Sequence, residues 1–332
     1  MKKFINKSLI IVSPFVAAII LLIFIDAYKV FRSYDNYYKD SFIELNREMV
    51  TTRTYIENRE NEKFNSFILG SSRSQAFKCE EWTKYIDNNS KPFHFDAHGE
   101  GIYGIAKKIE YISSLGDSIS NALIIVDRTI LSVTNNRNEK HLSISPPELS
   151  GESKLEYYYI FLEAQINYKF LITFIDYSFF GKYKTYMEGF ILDDKYPNKT
   201  NKVNCDIWLV NDDYIKNDSL GYYNRLNNLG VFYERPKANY QICEITKEEI
   251  SYLKSIMSIF NSHKTNYKII ISPNYDQIPL EKEQIGMLIE IFGKNNVFNF
   301  SGKNKFTDSI SNYYEDSHFR TSVANEILEI IY

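Results

Sequence analysis

Cysteine, glycine, proline and net charge are all scarce in this 332-residue chain. The three cysteines, Cys79, Cys205 and Cys243, stand far apart, so no Cys-x-x-Cys pair or Cys/His cluster has zinc spacing and at most one disulfide can form. Thirteen glycines and eight prolines are about half the usual share, which excludes collagen-like and linker-rich designs. Lys and Arg number 39 against 42 Asp and Glu, a net charge of −3, which argues against a nucleic-acid or polyanion-binding surface. What is abundant is apolar and aromatic: 44% hydrophobic residues, with 27 Tyr and 23 Phe. That content excludes a disordered chain, and the length suits one large domain or two small ones.

Ser8 to Ile25 carries no charge. At 1.5 Å per helical residue it spans ~27 Å, close to the hydrocarbon core of a bilayer. Lys2, Lys3 and Lys7 precede it, and Asp26 and Lys29 follow. A cleaved signal peptide would have a shorter apolar core and a small-residue exit, whereas this run leaves through Ile25-Asp26-Ala27-Tyr28. The expectation is an uncleaved single-pass anchor over residues 1–28, with the N-terminus cytoplasmic and the body extracytoplasmic. Residues 29–63, polar and free of Gly and Pro, read as a helical stalk.

The body alternates apolar runs with helical patterns. Runs at 64–69, 91–95, 122–126, 267–271 and 297–300 predict five strands. Helices are predicted at 102–115, at 246–260, at 280–292 with Gly293 as its stop, and at 322–332. The second opens on a Thr246/Glu249 capping box, with Ile250, Leu253, Met257 and Phe260 as its apolar stripe. Continuous apolar strands separated by helices indicate a three-layer α/β sandwich over 64–332, with about five parallel strands. An aromatic-rich insertion at about 135–240 follows the third strand and is expected to cap the carboxyl edge of the sheet.

Ligands of open parallel sheets bind beyond the carboxyl ends of the strands. Four polar clusters fall there: Ser71/Ser72/Arg73, His98/Gly99, Asp127/Arg128 and Glu315/Asp316/His318. In Gly70-Ser71-Ser72-Arg73-Ser74 the glycine permits a sharp exit from the strand. A serine on that bend exposes its Oγ and aims its N–H at a developing oxyanion; a plain helix cap would use the same serines. In Tyr313-Tyr314-Glu315-Asp316-Ser317-His318 a carboxylate three residues before a histidine can fix the ring tautomer through Nδ1. Asp316, two residues away, is the alternative acid. His94 and His98 are four apart and make only a poor metal pair; no metal or cofactor is expected.

Together the Gly-Ser-Ser block and the C-terminal Glu-Asp-Ser-His block resemble the SGNH/GDSL hydrolase family. The resemblance covers roughly 64–115 and 245–332 and leaves the middle unmatched. Ser71 stands where the family often has Asp, and Glu315 stands for its acid. Phe93-His94-Phe95-Asp96-Ala97-His98-Gly99 is similar to the second block, with Gly99 in the oxyanion glycine's place. The third block, Gly-x-Asn-Asp, is replaced by Val126-Asp127-Arg128-Thr129, which removes one oxyanion donor. The likeness is strongest to membrane-anchored, extracytoplasmic members linked to cell-surface polysaccharide and teichoic-acid modification.

The resemblance implies acyl transfer. Ser72 is the nucleophile, His318 the base, Glu315 (or Asp316) the orienting acid, Ser72 and Gly99 the oxyanion donors, and Arg73 a contact for an anionic substrate group. The implied partners are the membrane, an acylated envelope glycan or other ester, and a multi-span acyltransferase. Two other readings stand beside it: an inactive scaffold of a surface-polysaccharide assembly, and a carbohydrate-binding module that uses the aromatic insertion.

Overall fold

Five apolar runs become five parallel strands in a computed structural model, which describes residues 2–137, 140–192, 202–204, 209–235 and 245–332. They are β1 (Ser66–Gly70), β2 (Pro92–Asp96), β3 (Asn121–Val126), β4 (Asn266–Ile271) and β5 (Val297–Asn299). The sheet order is β2-β1-β3-β4-β5, so β1 and β3 lie side by side and the chain reverses direction across the sheet between them. In register, Ser66 faces both Pro92 and Asn121, and Asn121 faces Asn266.

The period-2 alternation of each strand splits the apolar side chains between two cores. Phe67, Leu69, Phe93, Phe95, Ile124 and Ile269 enter one. Ile68, Leu123, Ile125 and Ile270 enter the other. Helices cover both faces, consistent with a three-layer sandwich. On the first lie α3 (Ile102–Ser114), α8 (Lys247–His263) and α9 (Lys282–Phe292). On the second lies α10 (Thr321–Ile331), whose Val323, Ala324, Ile327 and Leu328 pack with Phe77 and Trp82. Thr246 caps α8 by accepting from the Glu249 N–H at 3.0 Å, and Leu253 and Phe260 are buried while Met257 is half-buried.

The segment 29–63 is not a stalk. Only α2 (Arg47–Glu62) is helical, and it packs over β2 on the first face of the sheet, where its Tyr55 joins the core. Asn46 caps it, accepting from the Met49 N–H at 2.9 Å. Tyr55 is buried against Phe64, Phe67, Phe93 and Phe95. Arg47 is fully buried, paired with Asp96 at 2.8 Å. Before α2, the Asp26 carboxylate accepts from the N–H groups of Val30, Phe31 and Arg32 and closes a compact loop. The outer edge of β2 is covered by a different segment: the His94 N–H donates to the Val203 carbonyl at 3.0 Å and the His94 carbonyl accepts from Asn204 Nδ2 at 2.7 Å, so this part of the edge strand is not left unpaired.

The described residues of the insertion include the helices α4 (Lys154–Ile166), α5 (Tyr168–Phe180), α6 (Leu209–Asn217) and α7 (Ser219–Asn228). The first two share a separate core with residues 28–50, in which Tyr157, Phe161 and Phe170 pack with Tyr28, Leu45 and Met49. The second two reach the carboxyl rim, where Ile215 and Tyr223 bury Tyr314. At the N-terminus α1 (Lys2–Ile25) is a single helix. Among the described residues no helix is long and apolar enough to cross a membrane. Cys79 is disulfide-bonded; Cys205 and Cys243 both lie outside the described residues.

Candidate active site

The chain leaves β1 through Gly70, whose φ is +155°; a Cβ there would stand 2.9 Å from the Ile125 carbonyl oxygen on β3. Only glycine allows the two strands' ends this approach. Ser71 then caps a single 3-10 turn, Ser72–Ala76. Its carbonyl takes the Ser74 N–H at 2.8 Å. This leaves Ser72 half-buried at the rim, beside the point where the sheet reverses direction.

The histidine arrives from a different element. Tyr313–Glu315 and His318–Phe319 pair as a small antiparallel hairpin with Asp316 and Ser317 at its tip. Glu315 and His318 are cross-strand partners, which is why a spacing of three brings them face to face. The hairpin is pinned from beneath: Tyr313 donates its hydroxyl proton to the Pro273 carbonyl at 3.0 Å. It is also pinned from above, where Tyr222 donates to the Tyr314 carbonyl and Tyr223 to that of Tyr313.

These two elements meet. His318 Nε2 lies 2.6 Å from Ser72 Oγ, and His318 Nδ1 is hydrogen-bonded to Glu315 Oε1. With the carboxylate accepting from Nδ1–H, Nε2 is the nitrogen left to accept the serine proton. Glu315 also accepts from the Ser317 N–H at 2.8 Å. Burial pushes the Glu315 carboxyl up, but the His318 hydrogen bond and charge, with the Ser317 N–H, outweigh it and hold the group below the usual range. Asp316 is different. Burial and the neighbouring Glu315 raise its pKa, and its Oδ1 accepts from Ser317 Oγ at 3.3 Å. The hydrogen bond to Nδ1 thus belongs to Glu315.

Arg73, the expected contact for an anionic substrate group, is engaged by the protein itself. Its Nη1 donates to Asp127 Oδ2 at 2.6 Å and its Nε to the Ser317 carbonyl at 3.0 Å. One planar guanidinium therefore ties the β1 turn to the end of β3 and to the hairpin tip. Asp127 is fully engaged too: its Oδ1 accepts from the Ile130 N–H at 2.9 Å and caps the short helix Arg128–Ser132. At this point the rim presents a carboxylate, which only accepts. Arg128 reaches Asp276 at 4.0 Å.

Gly99 follows β2 in the left-handed region, φ +61°. It lines a small cleft of about 20 Å³ with Glu48, His98, Tyr103 and Arg137. A Cβ at Gly99 would meet Arg137 Nη1 at 2.9 Å. His98 pairs with Glu44 at 3.4 Å. Among the described residues Gly99 makes no hydrogen bond to Ser72 or His318. His94, the other half of the poor metal pair, is fully buried with Nε2 2.8 Å from Ser74 Oγ, and burial lowers its pKa to about 4. Among the described residues no three His, Cys, Asp or Glu side chains gather to hold a metal.

Sequence reasoning missed the layer beneath the rim. Asp96, at the end of β2, accepts from Arg47, from Gln75 Nε2 at 2.6 Å and from Asn204 Nδ2 at 3.3 Å. Coulombic attraction to Arg47 overcomes burial and keeps Asp96 ionised well below the usual range. The signal available was the aspartate closing an apolar run. Its partners, scattered from residue 47 to residue 204, left none.

The rim thus holds a serine–histidine–carboxylate relay on a parallel α/β sheet, the arrangement of covalent acyl-transfer catalysts. No family model matches the chain, and a search among curated proteins finds no match.

Proposed function

We propose that this protein is a serine-dependent acyl esterase or O-acyltransferase acting on an acylated cell-envelope glycan or a similar ester. The observation that carries the reading is the 2.6 Å contact between Ser72 Oγ and His318 Nε2, with Glu315 on the far ring nitrogen. Ser72 attacks the acyl carbonyl while His318 takes its proton; the backbone N–H groups of Ser72 and Gly99 receive the oxyanion. Collapse of the tetrahedral adduct expels the alcohol, which takes the proton from His318 and leaves an acyl-serine. Water then regenerates the enzyme as an esterase, or a sugar hydroxyl does so as an acyltransferase, with His318 again the base.

The resemblance to SGNH/GDSL hydrolases supports the same reading, as does the strand order 2-1-3-4-5, which is that of flavodoxin-like sheets. We place the body outside the cytoplasm, held by α1 as a single-pass anchor with its N-terminus inside. The uncharged run Ser8–Ile25 and the Cys79 disulfide support that placement, since disulfides persist in oxidising compartments. A multi-span acyltransferase that delivers acyl groups across the membrane is the partner this arrangement suits.

One observation favours an inactive scaffold instead: Asp127 offers no amide donor to the oxyanion. Labelling of the purified full chain by a fluorophosphonate decides between the two. The enzyme reading expects covalent modification of Ser72, abolished by Ser72→Ala. An unlabelled parent protein would leave the scaffold.

A further inference from the structure

Helices α4 and α5 carry a surface that the acyl-transfer reading does not use. They are joined by Asn167 alone, and their inner faces bury Tyr157, Phe161, Phe170 and Tyr177. The outer side of α5 is also apolar. Tyr168, Ile172, Ile175 and Phe179 recur at i, i+4, i+7 and i+11, a single stripe on a helix, and are 52–81% exposed. α4 adds Leu155 and Tyr159, also exposed. Lys169 and Asp176 are the only charges in the thirteen residues of α5. Scattered single apolar side chains are normal on a water-facing surface; an unbroken stripe of large ones marks an interaction face.

The position of this stripe says what covers it. α4 packs against α1. Tyr28, three residues beyond the end of α1, stacks on Phe170 of α5 at 5.1 Å and meets Phe161 of α4 edge-on at 5.9 Å. Phe31 stacks on Tyr158 at 5.4 Å. The two helices are therefore fastened to the chain where it leaves α1, a helix that itself exposes Ile11, Phe15, Ile20 and Phe24. The exposed apolar residues of α1, α4 and α5 therefore belong to helices that pack together where the chain leaves α1.

We propose that α4 and α5 lie in the interfacial layer of the bilayer that α1 enters, with the stripe Tyr168–Ile172–Ile175–Phe179 among the outer acyl-chain segments. The lipid surface is the partner. α5 is apolar on both sides, its inner face closed by the shared core and its outer stripe free to enter lipid, with Lys169 and Asp176 on one flank. Together with α1 it would hold the domain at a fixed attitude on the membrane, without a stalk. The inference rests on the anchor reading of α1.

The test uses the full chain reconstituted in phosphatidylcholine vesicles, with and without acyl chains brominated near the headgroup. Ile175→Trp adds an emission that brominated lipid is expected to quench about twofold or more relative to the unsubstituted chain. Ile20→Trp is the parallel probe of α1. Quenching at both positions supports the proposal together with the anchor. Quenching at 20 with none at 175 overturns the interfacial placement and leaves the anchor standing; the stripe would then be covered by protein. Quenching at 175 alone removes the anchor and overturns the proposal, leaving a lipid contact made without α1. No quenching at either position overturns both.

Discussion

Two serine–histidine pairs sit two residues apart in the same turn and do different work. Ser72 meets His318 at 2.6 Å on the half-buried rim. Ser74 meets His94 at 2.8 Å, with both side chains shut away from solvent. The difference lies in where the hydroxyl proton and the nearby carboxylate are directed. Ser74 donates to the Ser71 carbonyl at 2.7 Å. A hydroxyl has one proton, so His94 must donate to Ser74, and the pair points the wrong way for general-base catalysis. Ser72 meets His318 with Glu315 on the far nitrogen, so the imidazole is set to receive. Asp96, the carboxylate nearest His94, is instead taken up by Arg47, Gln75 and Asn204. A serine, a histidine and an acid in contact are thus not enough; hydrogen-bond direction and access to substrate decide.

The widest separation between the pairs is expected from serine replacement. Ser72→Ala should abolish fluorophosphonate labelling, a loss of at least about 10³-fold. Ser74→Ala should keep the labelling rate within a few-fold while losing about 1–3 kcal/mol of stability, because the His94 N–H is left buried without an acceptor. Labelling kinetics and urea denaturation of the same preparations read both. Equal loss of labelling in the two variants would erase the distinction.

The acids give the next contrast. Glu315→Gln should lower the labelling rate by about 10²–10⁴-fold, since the amide cannot hold the ring in the accepting tautomer with the same strength. Asp316→Asn should stay within a few-fold, as its carboxyl touches Ser317 and not the ring nitrogen. The reverse order would transfer the orienting role to Asp316.

How much of this was legible follows from which interactions are local. The five strands could be read because parallel strands are covered on both faces and so appear as unbroken apolar runs. Glu315 and His318 could be read because a two-residue hairpin tip makes a spacing of three into a facing pair. Arg47 could not: a charged residue in a polar stretch looks solvent-exposed, and only Asp96, 49 residues on, reveals that it is core. The supposed stalk failed for that reason. The Ser74–His94 pair left no signal either, since nothing in the sequence tells a proton-donating histidine from an accepting one. The clamp made by Arg73 left no signal, because its acceptors, Asp127 and the Ser317 carbonyl, come from loops 54 and 244 residues away.

The buried pair should announce itself in acid. Burial lowers the His94 pKa from 6.5 to about 4, so between those values the unfolded chain holds a proton that the folded chain refuses. Stability from this group is complete above about pH 6.5 and is lost as pH falls toward 4, amounting to about 2–3 kcal/mol by pH 4.5. His94→Gln keeps a donor for Ser74 and removes the titration. Urea midpoints at pH 7 and 4.5 should fall further in the parent than in the variant by that amount. Parallel loss in both would mean that His94 titrates alike in the folded and unfolded chain.

The smallest effect separates two roles for Arg73. As a clamp, its fork holds Asp127 and the hairpin tip at once, and Arg73→Lys keeps the charge but cannot span both acceptors. Loosening the hairpin carries His318 away from Ser72, so hydrolysis should slow by about tenfold, the equivalent of ~1.4 kcal/mol of lost positioning. The slowing must be the same for a neutral and an anionic ester, because a clamp does not sense the substrate's charge. A substrate contact would instead spare the neutral ester and penalise the anionic one, chiefly in KM. Comparing Arg73→Lys on p-nitrophenyl acetate and on a carboxylated analogue therefore distinguishes them, and Asp127→Asn should show the same uniform loss. Combining Asp127→Asn with Arg73→Lys should add little, since each breaks the same contact.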